Sequence, residues 1–331
     1  MARLTVDQFA DNTNVDDVYL VADKQLKANR NGVTFLQVEL ADRTGAITAR
    51  MWNAGDPQFR SFEVGDFLSV KAKVQLFQGS LQMILNSFEK ADAARVDLAD
   101  FMPHTKQDVA KLTDRVKTLL RRLGDPHLKA LAETYFIDDE FMRGFTTAPA
   151  GIKVHHAYLG GLLEHVVTML DIADKILPLY PDINRDLVLM GVFLHDTGKI
   201  RELSYARAFA YTDEGQLLGH LTIGIEMLAD KVKQVPDLTG EPFPAETLLR
   251  LKHLILSHHG ESQFGSPKVP MTPEAVALHT IDLMDSRIFI ALREIDEDKK
   301  NPTTWTPFNH ALQRRLYKGG RSLGAGDGDG E

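Results

Sequence analysis

Four side chains in this 331-residue chain could together hold a divalent cation: His165, the adjacent pair His195-Asp196, and Asp282. Imidazole nitrogens and carboxylate oxygens suit manganese, iron, cobalt, nickel or zinc better than calcium or magnesium. The chain has no cysteine, which excludes disulfides, thiolate zinc sites and thiol nucleophiles. Any metal must therefore rest on the twelve histidines and the carboxylates. His195-Asp196 follows the apolar run LVLMGVFL (187–194) and precedes Thr197-Gly198-Lys199. That context places the pair at the last turn of a buried helix, where two ligands can converge on one ion while the helix stays rigid. A His-Asp pair that merely caps a helix is the bland alternative, and the long apolar run argues against it.

More histidines extend the set. His220 opens the segment HLTIG (220–224), and His258-His259 closes a helical stretch in which Leu251, Leu254, Ile255 and His258 share one face. His253 falls opposite and reads as a surface residue. In the last helical stretch Asp285 lies nearer the centre of the apolar face than Asp282, so periodicity does not choose between them. His155 and His156 precede a helix start, whose partial positive charge suits a phosphate. Lys199, just past the His-Asp pair, is the better candidate for neutralising one. His104, His127, His279 and His310 are isolated and read as ordinary surface or core histidines.

Two kinds of element must position these groups. Residues 14–90 alternate in short runs broken by turns such as Asp42-Arg43-Thr44-Gly45, which predicts five strands and a small β-barrel. From residue 106 apolar residues recur at helical spacing, with stretches at about 109–123, 125–136, 156–177, 185–195, 222–234, 245–259 and 273–295. The expected organisation is a barrel domain (14–90), a linker (91–103), an all-α domain (104–318) and a Gly/Asp-rich disordered tail (319–331). The longest apolar run is eight residues, against the ~20 that cross a bilayer. The N-terminus lacks the apolar core of a signal peptide, so no membrane association and a cytoplasmic location are expected.

At this point the sequence resembles the HD-domain metal-dependent phosphohydrolases, whose pattern is H…HD…D. The resemblance implies His165, His195, Asp196 and Asp282 as metal ligands and makes His220, His258 and His259 candidates for a second ion. Asp285 would then orient a ligand. The stretch SHHGESQFGSP (257–267) lacks the Asp-Gly-x-Gly-Tyr-Pro of cyclic di-GMP phosphodiesterases. Together with HHAYLGGLLEH (155–165), HDTGK (195–199) and the barrel-then-helix order, it resembles the YhaM-type 3′-5′ exoribonucleases. That family implies an N-terminal OB-fold, a C-terminal HD domain and a metal that is usually manganese. The implied activity is 3′-5′ hydrolysis of single-stranded RNA, with Asp196 and Lys199 at the reacting phosphate. Single-stranded DNA is a further candidate substrate, and no oligomer interface is readable.

The barrel resembles a nucleic-acid-binding OB-fold through Asn31-Gly32, LADRTG (40–45) and Arg50-Met51-Trp52. OB-folds hold single strands with cations and aromatic faces. The candidates are Lys24, Lys27, Arg30, Phe35, Arg50, Trp52, Phe77 and Gln82. In a barrel this small, Phe35 and Trp52 taken singly read first as core. The net charge of −8 is a poor match for a polyanion. The acidity lies outside the barrel, however, since residues 14–90 carry nine Lys/Arg against nine Asp/Glu. Rival readings are a phosphohydrolase of nucleotides or cyclic dinucleotides with a regulatory barrel, and a non-catalytic RNA-binding protein with a structural metal.

Overall fold

In a computed structural model, residues 3–28, 32–77, 80–97, 100–152, 156–205, 209–261, 265–299 and 303–319 are described. The expected tail lies outside them, Gly319 excepted. The chain divides into two compact units, Met1–Lys106 with Ser204–Ala210, and Gln107–Leu203 with Tyr211–Glu331.

The first unit is built on five strands: β1 (Asn14–Ala28), β2 (Thr34–Asp42), β3 (Gly45–Trp52), β4 (Phe67–Phe77) and β5 (Ser80–Lys90). They close in the order β1-β2-β3-β5-β4, with a short helix α1 (Asp56–Arg60) between β3 and β4. All pairs are antiparallel except β3 with β5. Side chains alternate across a strand, so Leu36, Val38 and Leu40 fill the interior with Ile47, Ala49, Val70, Val74 and Met83. The same alternation turns Lys27, Phe35 and Trp52 outward in one cross-strand row, because Lys27 pairs with Phe35 and Phe35 with Trp52. The stretch expected as a linker packs on this unit. The Phe101 ring lies 4.9 Å from that of Phe67, and the Arg3 guanidinium sits 3.8 Å above Phe101.

The second unit is helical: α2 (Val109–Arg121), α3 (Pro126–Phe136), α4 (Asp139–Thr147), α5 (Gly161–Ile176), α6 (Arg185–Leu194), α7 (Lys199–Glu202), α8 (Asp213–Val232), α9 (Val235–Thr239), α10 (Ala245–Ser257) and α11 (Pro273–Glu297). Helix α6 is buried from Leu187 to its end at Leu194, as an apolar run without a polar face requires. Gly191 permits this, since a Cβ there would lie 2.8 Å from Leu254 of α10. Two helix starts differ from the sequence expectation. Helix α5 begins at Gly161 rather than at 156, because His156 and Gly160 take positive φ (46° and 78°) and turn the chain first. Helix α8 begins at Asp213, where Thr212 Oγ1 caps the Gly215 N–H at 2.9 Å, and its φ/ψ pattern breaks at Gly219 (φ 71°). Glycines in the segment mask its helical period. No helix among the described residues is long and apolar enough to cross a membrane.

Lys231 ties α8 to the end of α3 and the start of α4, donating to the Thr134 carbonyl (2.9 Å) and to Asp138 Oδ2 (2.7 Å). Asp138 also caps α4 through the Phe141 N–H. The Lys231 hydrogen bond and the cap hold its carboxyl below the usual range. A depressed folded-state value contributes stability above the unfolded pKa of about 3.9 that is lost as pH falls through the folded value. Asparagine preserves the cap and removes the charge. Because the Asp138 side chain is 35% exposed, Asp138→Asn costs about 1 kcal/mol at pH 7. Urea midpoints of the two proteins are expected to converge below pH 4; a constant difference down to pH 2.5 would contradict the ion-pair account.

Candidate metal centre

Five helices bring the histidine and aspartate set together. His165 comes from α5, His195 and Asp196 follow the end of α6, and His220 lies within α8. His258 and His259 follow α10, and Asp282 and Asp285 belong to α11. His195 and His258 are the C-cap residues of their helices. Both helices thus aim the negative ends of their dipoles toward the site, which favours a cation.

Four of the rings are fixed from behind by Nδ1. The His195 Nδ1–H donates to the Val192 carbonyl at 2.7 Å, and His258 to the Ile255 carbonyl at 2.8 Å. His165 Nδ1 donates to Asp285 Oδ2 at 2.7 Å, and His220 Nδ1 to Glu202 Oε1 at 3.0 Å. Tethering one nitrogen in this way presents the other to a metal and raises its basicity. The Nε2 atoms converge on Asp196. Those of His165 and His195 lie 3.9 and 3.3 Å from its Oδ2; those of His220 and His258 lie 3.5 and 3.6 Å from its Oδ1. Asp282 Oδ1 adds a carboxylate 3.4 Å from His165 Nε2. His259 Nε2 stands 3.3 Å from that of His220. The donor atoms therefore fall into two groups on the two oxygens of one carboxylate. His195 Nε2 and Asp196 Oδ1 are buried and make no hydrogen bond, a costly state that a divalent ion would relieve. The residues present fit such an ion.

The electrostatics agree. Asp196, Asp282 and Glu202 act on one lysine, Lys199, whose Nζ lies 2.6 Å from Asp196 Oδ2. Burial alone would raise the Asp196 carboxyl, but Lys199 and His195 hold it far below the usual carboxylate range. Burial likewise opposes ionisation of Asp282 and Asp285, and the bonds to His165 and His156 outweigh it. His165 is pushed up to about 9: burial works against its charge, yet the hydrogen bonds to Asp282 and Asp285 prevail. The charge that holds a proton there would hold a divalent cation, whose binding releases that proton. His259 is pushed down to about 3 by burial and by its histidine neighbours, so it stays a neutral donor.

The geometry separates the two α11 aspartates. Asp282 stands on the Nε2 side of His165 with the other donors, and Asp285 stands on the Nδ1 side. His156 is buried, with Nε2 3.2 Å from Asp285 Oδ2, Nδ1 2.8 Å from the Tyr158 hydroxyl and its ring stacked on Phe289. It braces Asp285 and is not exposed to a phosphate as expected. His155 lies outside the described residues. Glu202 was missed by sequence reasoning, although its spacing from Lys199 on α7 puts both on one face. His279, read as an isolated histidine, donates from Nδ1 to the His258 carbonyl at 2.6 Å. Gly198 allows α7 and α8 to meet: a Cβ there would lie 2.0 Å from the His220 carbonyl oxygen and 2.8 Å from Gly224 N.

Asp285→Asn is expected to weaken divalent-metal affinity about 10- to 100-fold by releasing the His165 ring. Calorimetric titration of the purified protein with Mn²⁺ measures this, and an unchanged affinity would remove Asp285 from the site.

The barrel face needs two corrections. Lys24 pairs with buried Val38 and so points inward, where its Nζ bonds the Phe59 carbonyl (3.0 Å), the Phe62 carbonyl and Glu63 (2.7 Å). Gln82 is buried, 6% exposed. Neither side chain is open to a strand of nucleic acid. Trp52 and Phe77, in contrast, are 48% and 49% exposed, so Trp52 is not core. The Phe35 ring lies 5.2 Å from that of Trp52, with exposed Lys27 beside Phe35 in register. Arg50 is partly buried two residues along β3, and Arg30 lies outside the described residues.

Comparison with known proteins follows the same division. The family model of the HD domain matches residues 162–287, and that of the OB-fold nucleic acid binding domain matches residues 15–91. Relatives named 3′-5′ exoribonuclease YhaM match over nearly the whole length. The one from Bacillus velezensis is 33% identical over 92% of this chain and 94% of its own. That from Bacillus subtilis is 32% identical over the same shares. That from Shouchella clausii is 34% identical over 92% of each.

Proposed function

The chain belongs to the YhaM family of 3′-5′ exoribonucleases, and from that premise we propose that it shortens single-stranded RNA from the 3′ end, releasing 5′-nucleotides at the histidine-aspartate centre. The observation that carries the reading is the convergence of four Nε2 atoms on the two oxygens of Asp196. His165, His195, Asp196 and Asp282 would hold one divalent ion, and His220, His258 and His259 with Asp196 a second. The mixed imidazole and carboxylate donors permit manganese, the metal the family resemblance implies, without selecting it over iron, cobalt, nickel or zinc. When bound, such ions lower the pKa of a coordinated water and offset the charge of the scissile phosphate.

The chain's own residues do the rest. Lys199 fixes Asp196 and supplies a buried positive charge beside the donors. Glu202, holding both the backbone N–H and Nδ1 of His220, sets that ring's direction. The chain Tyr158–His156–Asp285–His165 does the same on the opposite side. On the barrel, the Lys27–Phe35–Trp52 row offers a cation and two aromatic faces, on which bases of any sequence stack. An RNA substrate keeps the proposed location cytoplasmic.

Purified protein with Mn²⁺ and 5′-labelled RNA is expected to give a ladder shortened from the 3′ end and free 5′-mononucleotides. Intact RNA alongside hydrolysed mononucleotide would instead mark a nucleotide phosphohydrolase. Single-stranded DNA of the same sequence sets the preference.

A further inference from the structure

Beyond the segment matched by the HD-domain model, residues 303–319 form a clip closed by the bridges Trp305 with Tyr317 and Asn309 with Arg314. Its inner side is Thr306, fully buried, whose N–H donates to the Leu316 carbonyl (2.9 Å) and whose Oγ1 accepts from the Leu316 N–H (3.0 Å). Lys318 anchors the clip just past the C-terminal end of α11, with Nζ 2.8 Å from the Asp298 carbonyl oxygen and 2.5 Å from its carboxylate. The helix that brings Asp282 to the metal centre therefore carries the clip at its far end.

The outer side is unlike the rest of an acidic chain. Trp305, Phe308 and Tyr317 are 45%, 49% and 62% exposed, and the Trp305 and Tyr317 rings lie 5.1 Å apart. Residues 303–319 contain three Lys/Arg and no Asp or Glu. Arg314 and Arg315 are exposed and direct their Nε atoms to the backbone carbonyls of Leu312 and Thr306. Neither forms an ion pair with a carboxylate among the described residues. Exposed rings beside unpaired guanidinium groups are the arrangement that holds single-stranded nucleic acid: bases stack on the rings and phosphates meet the cations. An apolar partner would account for the rings but not for the two arginines beside them.

We propose that this clip is a second binding surface for single-stranded RNA, with Trp305 and Tyr317 stacking bases and Arg314 and Arg315 contacting phosphates. The proposal rests on the reading of RNA as the substrate, and its test separates the two.

The chain contains two tryptophans, so a Trp52→Phe variant, which keeps an aromatic face on the barrel, reports Trp305 alone. The probe is a 2′-O-methyl oligouridylate of about twenty nucleotides with a 5′ fluorescein, whose anisotropy follows binding independently. Trp305 emission is expected to be quenched in step with the anisotropy. In the otherwise native chain, Trp305→Ala with Tyr317→Ala weakens binding about tenfold or more. The surface pair Arg314→Ser, Arg315→Ser, which leaves the buried anchors intact, makes the slope of log K against log salt shallower by about 1.4. Unchanged Trp305 emission at saturation overturns the proposal, as does native affinity and salt slope in both double variants. So does a lower sedimentation mass in Trp305→Ala/Tyr317→Ala at native RNA affinity, which would make the patch a protein interface. If the native chain binds no oligonucleotide at all, the RNA reading itself falls.

Discussion

Asparagine at position 196 is expected to lower exoribonuclease turnover about a thousandfold while leaving RNA affinity within a few-fold. Among the described residues Asp196 is the one side chain whose two oxygens face both groups of histidine nitrogens, Oδ2 toward His165 and His195 and Oδ1 toward His220 and His258. An amide of the same shape keeps one oxygen and turns a weak NH₂ donor on the other group. Metal assistance to a phosphoryl transfer is worth several kcal/mol, and about 4 kcal/mol corresponds to three decades in rate. Single-turnover rates on 5′-labelled RNA measure the loss, and metal analysis of the purified variant shows whether the ions go with it. A variant within tenfold of the native rate would falsify the assignment of the centre.

Gly198→Ala carries the second large effect, although Gly198 has no side chain to contribute. The added Cβ would meet the carbonyl oxygen and carbon of His220 and the amide of Gly224, all backbone atoms that no rotamer change can move aside. Helix α8 must shift as a body, taking His220 with it. Overpacking of this kind costs about 3 kcal/mol, or roughly 6–12 °C in Tm for a unit of this size. Activity should fall further than stability, because His220 loses both its place and its tether to Glu202. Differential scanning calorimetry beside the ladder assay tests both. A native Tm would show that the two backbones separate without penalty.

The candidate metal centre is legible in the sequence where its donors sit at helix ends, as His195-Asp196 and His258-His259 do. A run such as LVLMGVFL can only be a buried helix, and whatever follows it is delivered to the interior. The split into a β-barrel and an all-α region is legible because each keeps one period over many residues, whereas the HD and OB-fold identities rest on motif resemblance. What the period could not give is depth. Lys24 and Lys27 are three apart in one strand, yet a strand alternates, and only Lys27 emerges. Gln82 reads as polar surface and is covered. Asp282 and Asp285 are one helical turn apart, and wheel position could not separate them because His165 lies between, bonded to one through each nitrogen. The bracing residues Glu202, His156 and His279 act through contacts distant in sequence, which no local pattern encodes.

The five-helix origin of the donors has a consequence for the chain as a polymer. His165 and Asp282 are over a hundred residues apart, with His195, Asp196, His220, His258 and His259 strung between them. An ion held by these groups closes several long loops at one knot. A covalent bridge across a loop of that length is worth up to about 5 kcal/mol in lost denatured-state freedom. In a protein that owns no cysteine, the metal would be the cross-link, and chelation would loosen the helical unit as reduction loosens a disulfide-bonded one.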